Sequence, residues 1–320
     1  MLNIRQMKHL HAILKSDLEA VLNSPDEFTS KLIVRRNEKV REVLCVNGSL
    51  RNVQRRVLSQ LKSKLSPTPY SHGGISGRSP LTNAKQHLKS RFFFQTDVTN
   101  FYPSIHHSKV YDLFMRLGCS PDVSSVLTTV CTHDFHLALG MITSPFLADQ
   151  IFAPIDRWIS SACHARGLIY TRFVDDITIS GRYNLKRTNV ERMVANALSK
   201  NGFSMNRSKT GFQSIEDQPS VTGIRMKSKS RLDVRKDFIG SLSLILKDAK
   251  SIADGNSPEK GFYTEDQIRG KVQFACWVNP NRTKQLRNKL TSIDWDQFWK
   301  SAETLGLFSR IGTHVSRNLH

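Results

Sequence analysis

Three aspartates carry the strongest chemical signal in the chain. Asp97 ends the apolar run RFFFQTD at 91–97, and Asp175 and Asp176 sit side by side at the centre of LIYTRFVDDITIS at 168–180. A carboxylate behind a run of phenylalanines is costly unless something stabilises its charge. Two neighbouring carboxylates at a chain tip repel each other. A pair of divalent cations relieves both problems, because Mg²⁺ takes hard carboxylate oxygens and keeps positions open for substrate phosphates. Two such ions can activate an attacking oxygen and stabilise a leaving one. Adjacent aspartates also occur in solvated turns; burial of Phe173, Val174, Ile177 and Ile179 would set this pair apart from those. Cys131, His133, Asp134 and His136 also offer metal-ligand types, but without the paired spacing of a structural zinc site. They read as a helix-to-loop segment.

Charge points to the partner. The 320 residues include 47 Lys or Arg against 27 Asp or Glu, a net charge of +20. So large an excess repels itself unless a polyanion supplies counter-charge. Nucleic acid is the first candidate, an anionic membrane the second, and a solvated basic surface the plain alternative. With 39% hydrophobic and 23% charged residues the chain can bury a core, which excludes global disorder. No stretch approaches the roughly 18 uncharged apolar residues of a membrane span. The amino-terminal stretch MLNIRQMKHLHAILKSDLEAVL has scattered charges and no apolar signal core, so secretion is not expected. Five widely spaced cysteines without a CxxC fit a reduced, cytoplasmic chain.

The elements that must position the aspartates are legible as patterns. Residues 1–30 read as amphipathic helix broken at Ser24-Pro25, and 31–46 as two strands around a turn at Asn37-Glu38. Residues 49–65 have a helical apolar period, and 79–89 restart a helix with Ser79 as cap and Pro80 first. Residues 91–97 suit a buried strand. Helices follow over 106–132, interrupted at Gly118 and Ser120-Pro121, and over 146–165. The β-branched and aromatic stretch 168–180 predicts a hairpin with Asp175-Asp176 at its tip. A helix at 187–200 and strands at 203–212 and 219–226 come next, and from about 235 the chain reads as a basic helical lobe with breaks at Gly255–Pro258 and Asn279-Pro280.

Taken together, these segments resemble the boxes of reverse transcriptases. FVDD (173–176) resembles the YxDD box, FFFQTDVTNFYPSI (92–105) the first catalytic box, LALGMITSP (137–145) the LPQGxxxSP box, and GFSMNRSKT (202–210) the box that carries a lysine. Order, spacing and strand context all match over about residues 31–226. NAKQH (83–87) is similar to the NAxxH motif and Val221-Thr222-Gly223 to the VTG motif of retron reverse transcriptases. The resemblance implies an α+β right-hand polymerase fold. Residues 1–90 would be N-terminal helices and fingers, 91–230 a catalytic palm with inserted fingers helices, and 231–320 a helical thumb that binds RNA and primer-template. It also implies an enzyme that binds a structured noncoding RNA (msr-msd), primes from a guanosine 2′-hydroxyl, and makes the branched RNA–DNA called msDNA. Such enzymes serve anti-phage defence, usually with an accessory effector protein.

By the same resemblance Asp97, Asp175 and Asp176, with the carbonyl of Val98, bind two Mg²⁺ ions, for which Mn²⁺ could substitute. Tyr102, five residues after Asp97, falls at the steric gate that selects deoxynucleotides. Arg41, with Arg36 and Arg35, lies where the fingers grip the incoming dNTP triphosphate. Lys209 resembles the lysine that protonates departing pyrophosphate. Gly140 and Ser144 fall near the substrate, and Asn83, His87, Val221, Thr222 and Gly223 near RNA or primer, although an i, i+4 pair such as Asn83 and His87 could simply cap and pack on one helix face. The family's glutamine and proline in LPQG are Leu139 and Ala138 here, the asparagine after SP is Asp149, and the tyrosine of YxDD is Phe173. None of these changes touches a metal ligand. Two alternatives stay open: an RNA-binding scaffold that restrains an effector, and a reverse transcriptase of the group II intron or diversity-generating type. Trp277, Trp295 and Trp299 in the basic lobe suit either exposed bases or a core.

Overall fold

The computed structural model describes residues 6–14, 16–36, 39–228 and 230–307. The chain divides into two compact units, Met1–Asp217 and Gln218–His320.

The first unit opens with helices α1 (Met7–Leu14) and α2 (Ser16–Asn23), which stop before Pro25. A residue preceding proline disfavours helical geometry, so the break falls where the sequence puts it. Strands β1 (Thr29–Arg36) and β2 (Lys39–Val46) pair antiparallel with Thr29 opposite Val46; the turn expected at Asn37-Glu38 lies outside the described residues. Helix α3 (Gly48–Lys64) buries Leu50, Val53, Val57 and Leu61 at helical period, together with Gln54. In α4 (Pro80–Gln86) Ser79 and Thr82 cap each other reciprocally and Pro80 supplies a preset φ.

At the centre of this unit stands a four-stranded antiparallel sheet. It contains β3 (Phe92–Asp97), β4 (Ile169–Phe173), β5 (Asp176–Gly181) and β6 (Gly211–Ser214), in the order β4-β5-β3-β6. Phe93 and Phe94 are both fully buried. Neighbouring side chains on a strand point to opposite faces, so both sides of the sheet are covered. Helices α7 (Ser144–His164) and α4 pack against β4, and α5 (His107–Arg116) and α8 (Val190–Ser199) pack on α7, with α6 (Pro121–Cys131) against α5. Phe101, Phe152 and Phe203 form an aromatic knot, with ring centroids 5.1 to 6.2 Å apart.

One strand expectation needs correction. Within the 203–212 segment only residues 211 and 212 are strand, as the start of Gly211–Ser214, because the Asn206 side chain accepts from the Ser208 N–H at 3.2 Å and bends residues 207–209 into a tight turn.

The second unit begins with a three-stranded antiparallel sheet of β7 (Ser220–Val221), β8 (Ile224–Ser228) and β9 (Arg231–Val234). Helices α9 (Lys236–Ala253), α10 (Glu265–Val278), α11 (Lys284–Thr291) and α12 (Trp295–Thr304) follow, and the breaks fall at the Gly255–Pro258 and Asn279-Pro280 signals. Phe298, fully buried, stacks on Phe262 at 5.8 Å and is flanked by Trp295 and Trp299. These two tryptophans are packing residues, whereas Trp277 is exposed. Among the described residues no helix is long and apolar enough to cross a membrane.

Candidate active site

The site is built where β3 ends against the β4–β5 hairpin. Phe173 pairs with Asp176 across the hairpin, which leaves Val174 and Asp175 as the two-residue tip. Asp97 pairs with Asp176 on the neighbouring strand, and the Val98 N–H donates to the Asp175 carbonyl at 3.0 Å. This register brings the three aspartates together: one carboxylate oxygen from each lies within 4.8 Å of the others. Asp97 is buried, Asp175 half-buried and Asp176 open to solvent on one side. Ile177 and Ile179 are buried behind them, and Phe173 and Val174 are partly so. The condition that separates a working pair from a solvated turn is therefore met on the strand side.

The electrostatics are those of crowded, partly desolvated carboxylates that Lys209 and Arg41 only partly offset. Desolvation raises Asp175, and the Asp97 carboxylate adds to the rise. Desolvation and the charges of Asp175 and Asp97 push Asp176 up to about 6, against the opposing pull of Lys209 and Arg41. The donors are all carboxylate oxygens, the set that Mg²⁺ takes. The Lys209 ammonium forms an ion pair with Asp97, and that hydrogen bond raises the Lys209 pKa. Asn206, which sequence reasoning did not single out, donates from its side chain to Asp97 Oδ1 at 3.0 Å.

Tyr102 packs on Phe101 at 5.5 Å between ring centroids. Burial, then the Asp175 charge, pushes its hydroxyl up to about 12, so the ring is neutral beside the cluster. Arg41 is exposed on β2, near enough for its charge to act on Asp176. The side chains of Arg35 and Arg36 lie outside the described residues. Gly140 has φ +104°, and a Cβ there would collide with the Leu44 carbonyl, since the Leu44 N–H donates to the Leu139 carbonyl at 2.7 Å. Leu139 thus ties the loop to β2 through its backbone. Gln54 braces the same loop, accepting from the Ile142 N–H at 2.9 Å and donating to the Val130 carbonyl at 2.9 Å. Ser144 is buried as the first residue of α7.

Asn83 and His87 are both buried, as a pair that caps and packs would be. The His87 ring bridges Ser180 Oγ and Thr171 Oγ1, each at 2.7 Å, and so ties α4 to the back of the catalytic hairpin. Val221, Thr222 and Gly223 belong to the second unit. Val221 is buried and pairs with Ile224, leaving Thr222 and Gly223 as a hairpin tip at φ +49° and +82°. Positive φ at both tip residues is the type I′ pattern, and a β-branched residue rarely adopts it. Cys131 is buried with its thiol pushed up to about 12 by desolvation. Among the described residues it belongs to no metal-competent cluster.

Comparison with known proteins agrees with this geometry. The family described as reverse transcriptase (RNA-dependent DNA polymerase) matches residues 30–231. The retron Ec86 reverse transcriptase of Escherichia coli is 33% identical over 257 residues, which cover 80% of this chain and 78% of the relative. The retron Se72 reverse transcriptase of Salmonella heidelberg is 33% identical over 229 residues, 69% of this chain and 59% of that protein. The retron Mx65 reverse transcriptase of Myxococcus xanthus is 29% identical over 280 residues, 82% of this chain and 64% of that protein. The chain thus spans less than two thirds of the latter two.

Proposed function

Because the chain belongs to the retron reverse transcriptases, a family of RNA-directed DNA polymerases, we propose that it copies part of a structured noncoding RNA into DNA, starting from a guanosine 2′-hydroxyl of that RNA. The product is msDNA, and the RNA–DNA particle, with an accessory effector protein, serves anti-phage defence. The observation that carries the reading is the convergence of Asp97, Asp175 and Asp176 within 4.8 Å where the end of β3 meets the β4–β5 tip.

In this reading residues 1–90 form the N-terminal helices and fingers, 91–230 the palm, and 231–320 the thumb. Asp97, Asp175 and Asp176, with the Val98 carbonyl, hold two Mg²⁺ ions. When bound, the ions would lower the pKa of the primer hydroxyl and neutralise the triphosphate and departing pyrophosphate. Arg41 and Arg36 grip the triphosphate by charge and hydrogen bonding. The Tyr102 ring excludes a ribose 2′-hydroxyl, and Gly140 and Ser144 shape the nucleotide pocket. Lys209 Nζ gives its proton to the leaving pyrophosphate. The +20 net charge suits a long RNA partner. Val221, Thr222 and Gly223 contact RNA or primer, and the basic helices of 231–320 select the cognate RNA.

Sequencing the nucleic acid that copurifies with the chain tests this. A defined RNA joined to DNA through a guanosine branch is expected. Unbranched RNA alone, from a chain that incorporates no deoxynucleotide, would make it an RNA-binding scaffold instead.

A further inference from the structure

Among the described residues the largest fully buried side chain is a cation, Arg172 of β4, only 1% exposed. Its guanidinium faces two acids from α7. Nε donates to Asp156 Oδ1 at 2.9 Å, and Nη2 donates to Asp156 Oδ2 at 2.7 Å and to Asp149 Oδ1 at 2.9 Å. Burial opposes the Arg172 charge, but Asp156 and Asp149 outweigh it and hold the group ionised. Tyr170 and Thr68 donate their hydroxyls to Asp156 at 2.6 and 3.1 Å, and the Phe152 ring lies 4.6 Å from the guanidinium carbon. The guanidinium is thus held by both acids and by the Phe152 ring.

Such a triad is a poor way to stabilise a core. A guanidinium and two acids are expensive to take out of water, and apolar residues of the same volume commonly serve stability as well or better. One donor does something else. Nη1 reaches past the acids to the Val174 carbonyl at 2.8 Å, two residues along the chain. Val174 is the residue before Asp175, and its φ is +59°. A β-branched residue resists that left-handed conformation and keeps it only where its surroundings impose it. The surroundings press from a second side as well, since a Cβ on Gly73 would lie 2.5 Å from Val174 Cγ2 and 2.6 Å from Val174 N.

We propose that Arg172, set by Asp149 and Asp156, is a positioning residue that clamps the Val174 carbonyl and so keeps the hairpin tip in the left-handed turn that aims the Asp175 carboxylate at Asp97 and Asp176. The proposal rests on the polymerase reading of those three aspartates. It gives Asp149, the residue that departs from the family's asparagine, a task behind the site rather than in it.

The test uses the full chain with its RNA and follows primer extension alongside the Asp175→Asn variant. Arg172→Lys keeps a charge for the acids but loses the fork that reaches Val174. It is expected to lower the maximal rate about 10- to 100-fold, and to raise the Mg²⁺ concentration for half-maximal rate several-fold. RNA binding and the KM for dNTP should stay unchanged. Adding Val174→Gly, which accepts positive φ without strain, should restore most of the loss; if Arg172 only balances core charge, the two effects add instead. A second variant guards against misfolding: Arg172→Met with Asp149→Asn and Asp156→Asn leaves no buried charge unpaired, and it should fold yet lose rate to the same extent. Full rate and unchanged Mg²⁺ dependence in either variant overturns the proposal. Failure of both to fold overturns it too, by making the triad part of the core. A native chain that incorporates no dNTP sinks the polymerase reading itself, which is a separate outcome.

Discussion

Asn206 holds Asp97 at two points: its side-chain amide donates to Oδ1 at 3.0 Å, and its N–H donates to the Asp97 carbonyl at 2.8 Å. Its own Oδ1 accepts from the Ser208 N–H and hydroxyl at 3.2 and 2.8 Å, which fixes the amide's orientation. A group that orients a metal ligand this way typically contributes about 10- to 100-fold to activity. Asn206→Ala should therefore lower the rate at saturating dNTP by that factor, and Asn206→Asp should lower it further by placing a fourth carboxylate at the site. An unimpaired Asn206→Ala enzyme in primer extension would remove Asn206 from the site.

Tyr102 is half-buried with a neutral hydroxyl, so its ring rather than its charge should act on the sugar. Tyr102→Ala is expected to narrow the preference for dNTP over rNTP by about 10- to 200-fold, the range that a steric contact in a pocket supplies. Tyr102→Phe should keep the preference. Competitive incorporation of the two nucleotide types measures both, and equal selectivity in Tyr102→Ala would contradict the gate.

Much of this site could be read from residue types in order. The run ending at Asp97 and the bracketed hairpin around Asp175-Asp176 have the composition of buried strands, and both form as expected. Other parts depend on contacts between distant segments. Asn206 lies in a segment read as strand, and only its fold against Asp97, 109 residues away, gives it a role. Asp149 and Asp156 are seven residues apart, two turns along one face of a helix whose other buried residues are apolar apart from Ser144, and that spacing was the available sign of a buried cation partner. For His87 the motif left both a ligand and a packing role open, because its partners, Ser180 and Thr171, come from strands more than 80 residues away.

His87 also makes stability depend on pH. Burial lowers its pKa from 6.5 to about 3, and burial lowers His72 to about 4. As pH falls below 6.5, the unfolded chain takes up protons that the folded chain refuses. Stability is therefore lost progressively toward pH 3, by at most about 1.4 kcal/mol per pH unit for each ring. His87→Gln should cost about 1–3 kcal/mol at pH 7, by disturbing a buried hydrogen-bond bridge. It should also flatten the acid slope without abolishing it, because His72 still titrates. Denaturant unfolding at pH 7 and pH 4.5 checks this, and parallel curves for native chain and variant would contradict it.

Gly140 permits the close backbone approach that joins the 137–145 loop to β2. Gly140→Ala meets both the positive φ and the Leu44 carbonyl. It should destabilise the fold by more than about 1 kcal/mol and raise the KM for dNTP more than it lowers RNA binding. Thermal unfolding and nucleotide titration read the two effects; a variant with native values for both would show the loop to be loosely held.

The account turns on one carboxylate cluster, and Asp175→Asn addresses it most directly, because the substitution keeps shape and removes charge. Primer extension on the RNA that copurifies with the chain, with Mg²⁺ present and after chelation, should give DNA only from the native chain with metal. Asp175→Asn should give none while binding the same RNA. Undiminished DNA synthesis by Asp175→Asn would contradict the assignment of Asp97, Asp175 and Asp176 as the polymerising centre.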